Sequence, residues 1–238
     1  MTLLAGIFDS AAVTEAWEII KSEFLFATWE TLYVTFVATF FSIILGLPLG
    51  ILLVAGENKQ IIPVPKWVLK ILDVLINLLR SIPFLILIVV VIPITRFIVG
   101  TTVGTVPSIV PLVIAGFPFV ARLVEGSMRE IDSKIIETAK SMGATPLQII
   151  FKVMIPESIP SLIMNFTVAI TTILGYTAMS GVLGGGGLGK IAIDLGYYRY
   201  KTLVMYAAVV LLIILVQVFQ SVGTKIATSC DKRIKTNK

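Results

Sequence analysis

The chain has 238 residues, 57% of them hydrophobic and only 14% charged, with nineteen Lys and Arg against fourteen Asp and Glu and a mean hydropathy of +1.00. Soluble domains carry about 45–50% apolar and about 25% charged residues, so this composition excludes an ordinary water-soluble globule and intrinsic disorder. With no histidine and one cysteine, Cys230, the chain offers no His-ligated metal site, no thiolate zinc cluster, no intrachain disulfide and no Ser-His or Cys-His nucleophile.

Residues 1–30 lack a basic start and carry Asp9, Glu15, Glu18, Glu23 and Glu30 against Lys21, so they do not read as a signal peptide. They read as an external N-terminal segment whose residues 11–26, weakly amphipathic, lie along the membrane surface. A membrane-crossing helix needs about 20 apolar residues. Charge-free stretches at 31–56, 97–121, 158–189 and 202–224 meet that length, and residues 81–95 do so when extended back through 71–79. The expected fold is therefore an all-α integral membrane protein with five transmembrane helices in one domain, residues 31–224, followed by a basic tail, residues 225–238.

Positive charge sets the orientation. Lys59, Lys66, Lys70, Arg80, Arg122, Arg129, Lys134, Lys140, Lys152, Lys225, Lys232, Arg233, Lys235 and Lys238 fall on one side of a five-span chain, fourteen of the nineteen basic residues. That side is expected to be cytoplasmic, with the N-terminus outside and the C-terminus inside. The tail's basic residues would hold the end of the last span at anionic membrane lipid.

The second and third spans contain Pro83, Pro93, Pro111 and Pro118 together with Gly100, Gly104 and Gly116. Interrupted helices at membrane depth occur where they line a cavity or pack on protein, and the sequence leaves both readings open. Asp73 and Arg80, seven residues apart, share a face of the second span; they either pair with each other or mark a pathway, with Arg80 the better pathway residue. Ser81, Phe84, Thr171, Thr172, Tyr176 and Met179 could offer small polar, aromatic and sulfur contacts to a small apolar solute, but Met and aromatic residues at helical spacing are more often plain packing, so spacing assigns no substrate site to them.

Residues 122–157 connect the third and fourth spans. Asp132 or Ser133 is placed to cap a helix with Ile135, Ile136, Ala139 and Met142 at helical spacing, and Gly143 to end it in a left-handed turn. Thr145 and Pro146 suit the N-cap and first position of a second short helix, which Pro156 is expected to stop before the next span. Two helices over residues 132–155 would then form a cytoplasmic hairpin. By spacing alone it is either a solvated linker or a docking element in which Gly143 and Ala144 permit close approach.

The run from Gly184 to Lys190 matches both G-x-x-x-x-G-K and G-x-G-x-x-G, patterns nearly automatic in a glycine run. Ile191 stands where a phosphate-binding loop has Ser or Thr, and the run follows a span rather than a strand. A flexible helix exit on the external side is expected, with no nucleotide site and no cofactor.

The connection resembles the "EAA" segment of permease subunits in binding-protein-dependent ABC importers, E-A-A-x3-G-x9-I-x-L-P: here Glu137-Thr138-Ala139, then Gly143, then Val153-Met154-Ile155-Pro156. Thr138 replaces the first alanine, and Val153 and Ile155 replace the aliphatic positions. "WETLYVTFVATFFSIILGLPLGILL", "LRSIPFLILIVVVIPITRFIVGTTVG", "IVPLVIAGFPFVARLVEGSMREI" and "GYTAMSGVLGGGGLGKIAIDLGY" are similar to the methionine-uptake permeases of that family, so the resemblance covers nearly the whole chain. It implies a non-catalytic prokaryotic cell-membrane subunit for which Glu137, Ala139, Gly143, Ala144, Thr145 and Pro156 form the contact with a cytoplasmic ABC ATPase, present in two copies. It further implies a second copy of the chain, an extracytoplasmic solute-binding protein, and no nucleic-acid partner. Arg80, Ser81, Phe84, Tyr176 and Met179 stand as pathway candidates. The competing readings are an importer of another small amino acid or peptide, or a self-contained secondary transporter; scarce intramembrane ionisable groups and the lack of an inverted repeat weigh against the latter.

Overall fold

The computed structural model describes residues 10–57 and 61–231, with the side chains of residues 10–12 left out. The remainder of the basic tail, residues 232–238, and the first nine residues lie outside the described residues. Every regular element among the described residues is helical. In chain order these are α1 (Ser10–Glu57), α2 (Lys66–Ser81), α3 (Phe84–Val90), α4 (Ile92–Val99), α5 (Ile109–Arg129), α6 (Ser133–Ser141), α7 (Pro146–Ile149), α8 (Ile155–Ser180), α9 (Gly187–Lys190) and α10 (Thr202–Cys230). A π-helical turn, Ile150–Met154, joins α7 to α8, and a second, Ile191–Tyr198, extends α9.

Four of these helical runs are long and apolar enough to cross a membrane: Val13–Glu57, Ile109–Arg129, Pro146–Leu183 and Thr202–Cys230; a fifth exists if the interrupted pair Lys66–Ser81 and Phe84–Val90 counts as one span. The third span differs from the expected 97–121. Glycine ends α4, with Gly100 left-handed at φ 82°, and residues 100–108 are irregular. The helix therefore starts at Ile109 and runs on through Arg122, Glu125 and Arg129. Pro118 lies inside α5 and Pro48 inside α1 without ending either helix, whereas Pro83 marks the break between α2 and α3.

The expected surface helix over 11–26 is not separate. It is the first part of the 48-residue α1, and its apolar face is taken by protein: Ala16, Phe24 and Ala27 pack with Leu188, Ile191, Ala192, Val204 and Ala208.

The chain divides into two compact units. The first comprises residues 1–38, 84–112 and 171–218, and the cluster just named is its core. The second comprises residues 39–83, 113–170 and 219–238. Its core gathers Ile51, Ala55, Val120, Val124, Met128, Ile136, Ile149 and Met154. Lipid is as apolar as leucine, so membrane helices gain by close contact at small residues rather than by burial. Gly46 and Gly50 provide that contact: a Cβ on either would fall 2.7 Å from the Phe117 carbonyl or 2.5 Å from that of Ala121.

Five charged side chains of the second unit form a connected set of ion pairs. Arg122 bonds Asp73 and, at 2.5 Å, Glu125, while Arg129 reaches Glu57 and Glu125, each at 2.8 Å. Glu125 is buried, and two guanidinium groups offset its desolvation. Asp73 thus takes Arg122, forty-nine positions along the chain, rather than the expected Arg80, which is exposed and makes no ion pair among the described residues.

Candidate functional site

The hairpin between α5 and α8 is assembled from short-range instructions. Asp132 is the N-cap of α6, its carboxylate accepting from the Lys134 N–H at 2.9 Å. At the other end the Gly143 N–H donates to the Lys140 carbonyl at 2.8 Å and the Ala144 N–H to the Ala139 carbonyl at 3.1 Å. That bond pair is a Schellman termination, and it requires the left-handed residue that Gly143 supplies at φ 81°. Thr145 then opens α7 through a reciprocal capping box: Thr145 Oγ1 accepts from the Gln148 N–H, and Gln148 Oε1 accepts from the Thr145 N–H at 2.9 Å.

The inner face of the hairpin is tied to the second unit's core through Ile136, Ala139 and Ile149, with Ala144 packed against them. The outer face is left open by the other described residues. Glu137, Gly143 and Thr145 are exposed, and a Cβ at Gly143 would meet nothing within 4 Å. Met142 at 82%, Leu147 at 65% and Phe151 at 64% exposure put large apolar side chains on the same short segment. Solvent would not select that surface; a patch of this kind marks contact with another protein or with lipid. The sequence groups Met142 with Ile136 and Ala139 on the apolar side of the first helix, but it lies at the C-cap and is exposed while those two are buried. Leu147 and Phe151 were not singled out, although a Leu and a Phe following the capped turn were the available signal.

Pro156 does not end the second helix. The chain continues from α7 through the π turn into α8, where the Ile155 N–H bonds the Ile150 carbonyl, five residues back. A proline has no N–H to give and crowds the preceding turn; the wider π turn just before Pro156 absorbs that defect without breaking the helix. Ala139 is buried and Pro156 exposed, so the six motif residues are not one surface.

Among the proposed pathway residues, Phe84 and Tyr176 meet within the first unit, stacked at 4.5 Å between centroids and 11° between planes. Phe84 is buried, and Met179, three residues beyond Tyr176, is 46% exposed. Ser81 returns its hydroxyl to the Asn77 carbonyl at 2.8 Å, and it and Arg80 belong to the second unit. Of the five, Phe84 and Tyr176 are the two that the fold brings into a ring stack.

The glycine run is more constrained than a flexible exit. Gly184 and Gly187 are left-handed at φ 83° and 81°. The Glu30 carboxylate accepts from the Gly187 N–H at 2.9 Å and from the Thr105 hydroxyl at 2.5 Å, while Thr31 Oγ1 accepts from the Leu188 N–H at 2.9 Å. A Cβ at Gly186 would collide with Thr105 and Glu30, and one at Gly187 with Thr31. Of the N–H groups that a phosphate loop would offer to a nucleotide, those of Gly187 and Leu188 are thus taken by side chains, and those of Gly184 and Gly185 by the carbonyls of Gly181 and Ser180. Sequence reasoning did not identify Glu30; its signal was an acid directly preceding a long apolar span.

A family model described as "binding-protein-dependent transport system inner membrane component" matches residues 42–235. The chain is 43% identical to the probable D-methionine transport system permease protein MetI of Vibrio cholerae, across 91% of this chain and 96% of that protein. It is 46% identical to the D-methionine transport system permease protein MetI of Escherichia coli, over 64% of this chain and 70% of that one. Among solved structures, it is similar to a chain of the MetNI methionine ABC transporter in inward-facing conformations, with a TM-score of 0.83, 44% identity, and coverage of 86% of this chain and 94% of that chain. An amino-acid ABC transporter at 17% identity, with a TM-score of 0.73, shares the fold.

Proposed function

Because this chain belongs to the family of binding-protein-dependent transport system inner membrane components, we propose that it is the membrane permease subunit of an ATP-binding-cassette importer for methionine. The observation that carries this reading is likeness along nearly the full length to the methionine permeases and to the MetNI transporter chain. The capped, outward-facing hairpin between α5 and α8 supports the mechanical half of it.

In this reading the chain crosses the membrane five times, with α2 and α3 as the interrupted second span, its N-terminus outside and its C-terminus in the cytoplasm. Two copies form the pathway. Two cytoplasmic ATPase subunits receive the hairpins, and an external binding protein delivers the solute. The chain itself is non-catalytic. Glu137, Gly143 and Thr145 face the ATPase with Met142, Leu147 and Phe151 as the apolar part of the contact, while Ala139 and Ala144 hold the hairpin to the helix core. Closure of the ATPase dimer on ATP pulls the hairpin, and the continuous run from Pro146 to Leu183 carries that displacement into the span. Arg80, Ser81, the Phe84–Tyr176 stack and Met179 are the proposed pathway residues.

The test is methionine uptake into proteoliposomes containing permease, ATPase and binding protein, with Gly143→Asp beside the parent chain. ATP-dependent uptake by the parent, lost in a Gly143→Asp complex that still assembles, is the expected result. Undiminished uptake by that variant would remove the coupling role from the hairpin, and absence of methionine uptake by the parent would remove the solute assignment.

A further inference from the structure

A groove of about 570 Å³ lies within the first unit between the start of α1 and the segment that continues α9. One wall carries Glu23, Phe26 and Glu30; the other carries Lys190, Asp194 and Arg199. Ile191 and Leu195 add apolar lining. Glu30 is engaged by Gly187 and Thr105, but Glu23, Lys190, Asp194 and Arg199 make no ion pair among the described residues. The same two segments do form one nearby, Lys201 to Glu15 at 2.9 Å. Two cations and two carboxylates therefore face one open space without neutralising each other.

The groove is bracketed by the starts of two apolar runs. Glu30 directly precedes the charge-free residues 31–56, and Lys201 directly precedes the charge-free residues 202–224. Those two starts are not at one level, since Lys201 pairs with Glu15, fifteen residues before Glu30 on α1; the groove, lined on α1 by residues 22–30, lies between them. Phe26, Trp29, Tyr197 and Tyr200, each within five residues of one of those starts, are exposed, as aromatic side chains are at the headgroup layer of a bilayer. A ligand here must carry both a cation and an anion and keep an apolar part beside Phe26.

We propose that this groove is a binding site for a phospholipid whose headgroup joins a primary ammonium to a phosphate. Lys190 and Arg199 take the phosphate, Glu23 and Asp194 accept hydrogen bonds from the ammonium, and the acyl chains run down beside Phe26 and Trp29. A quaternary ammonium has no N–H to give the carboxylates, and a glycerol headgroup brings no cation, so both bind less well. A free amino acid carries the same pair of charges, but the exposed aromatic surround and the groove's place between the starts of two apolar runs favour the lipid.

Native mass spectrometry of the full chain, presented with equal amounts of phosphatidylethanolamine, phosphatidylcholine and phosphatidylglycerol, reads the selection directly. Phosphatidylethanolamine is expected to be retained preferentially, with retention falling about fivefold for each of Lys190→Gln and Asp194→Asn and kept in Lys190→Arg. Glu23→Gln, on the exposed side of α1, gives a second loss should either of the first two variants fail to fold. Equal retention of the three lipids, or variants that retain as much as the parent, would overturn the site. Displacement of the lipid by free methionine would overturn its assignment to lipid and make the groove an amino-acid site. None of these outcomes depends on which solute the chain transports, which the uptake assay reads separately.

Discussion

Two glycine-bearing turns set the two units apart. In the turn from Gly181 to Gly189, glycine is required because other atoms already occupy the space where a side chain would go: a Cβ at Gly181 would lie 2.5 Å from the backbone of Gly189 and Lys190. At Gly143 the space is empty, and glycine is required only by the sign of φ. The first turn is closed on itself, the Gly187 and Leu188 N–H groups held by Glu30 and Thr31 and those of Gly184 and Gly185 by the carbonyls of Gly181 and Ser180. The second is complete in its backbone hydrogen bonds yet presents its outer surface to something else. Residue type alone therefore does not separate a packing glycine from a docking glycine; the neighbourhood of the missing Cβ does.

The comparison breaks most readily at Gly181. Gly181→Ala is expected to destabilise the detergent-solubilised chain by about 3 kcal/mol, since two backbone segments must separate to admit one methyl group. Loss of the thermal transition, or a midpoint lowered well beyond that of other alanine variants, is the measurement. A Gly181→Ala chain melting with the parent would mean that the turn is not packed as described. Next comes Glu30→Gln. It keeps the shape but replaces charge-assisted bonds to Gly187 and Thr105 by neutral ones, which is expected to cost about 1–2 kcal/mol. Protease accessibility of the turn should rise with it, because the same carboxylate fixes the turn to α1.

Gly143 sharpens the other side. Gly143→Ala has room but the wrong backbone region, and is expected to cost about 1 kcal/mol. Gly143→Asn, a residue that tolerates φ > 0, should cost less. If the two variants were equally destabilised, an unseen steric limit rather than the backbone angle would govern the position. Their ordering is read from thermal midpoints in the same detergent.

The hairpin was legible because its signals are local. Asp132 caps within two residues, Thr145 and Gln148 within three, and Gly143 ends its helix by its own backbone. What failed depended on distance or on a compensating defect. Nothing near Asp73 in the sequence points to Arg122, and helical spacing alone made Arg80 the nearer partner. Pro156 looks like a stop because proline normally is one; the π turn at Ile150–Met154 that accommodates it has no composition of its own. The third span was displaced because residues 97–121 are free of charge throughout, so the absence of charge could not reveal that Gly100 and the turns after it end one helix before another begins. Glu30 was unread for the same reason as Arg122: its partners at 105 and 187 are brought to it only by the fold.

The smallest expected change in stability separates the two turns most sharply. Leu147 is 65% exposed on the hairpin's outer face and contributes little to the core that Ile149 and Ala139 anchor. Leu147→Ser is therefore expected to leave the chain's own melting within about 0.5 kcal/mol of the parent. In a complex with the ATPase the same side chain would be covered, and its removal should weaken assembly and ATP-driven uptake together, by about tenfold in affinity for a buried aliphatic contact of about 1.5 kcal/mol. A variant that melts normally but no longer retains the ATPase places the outer face in the interface. One that melts normally and retains it fully would leave Met142 and Phe151 without an apolar companion, and would move the contact toward Glu137 and Thr145, where polar groups would have to hold it.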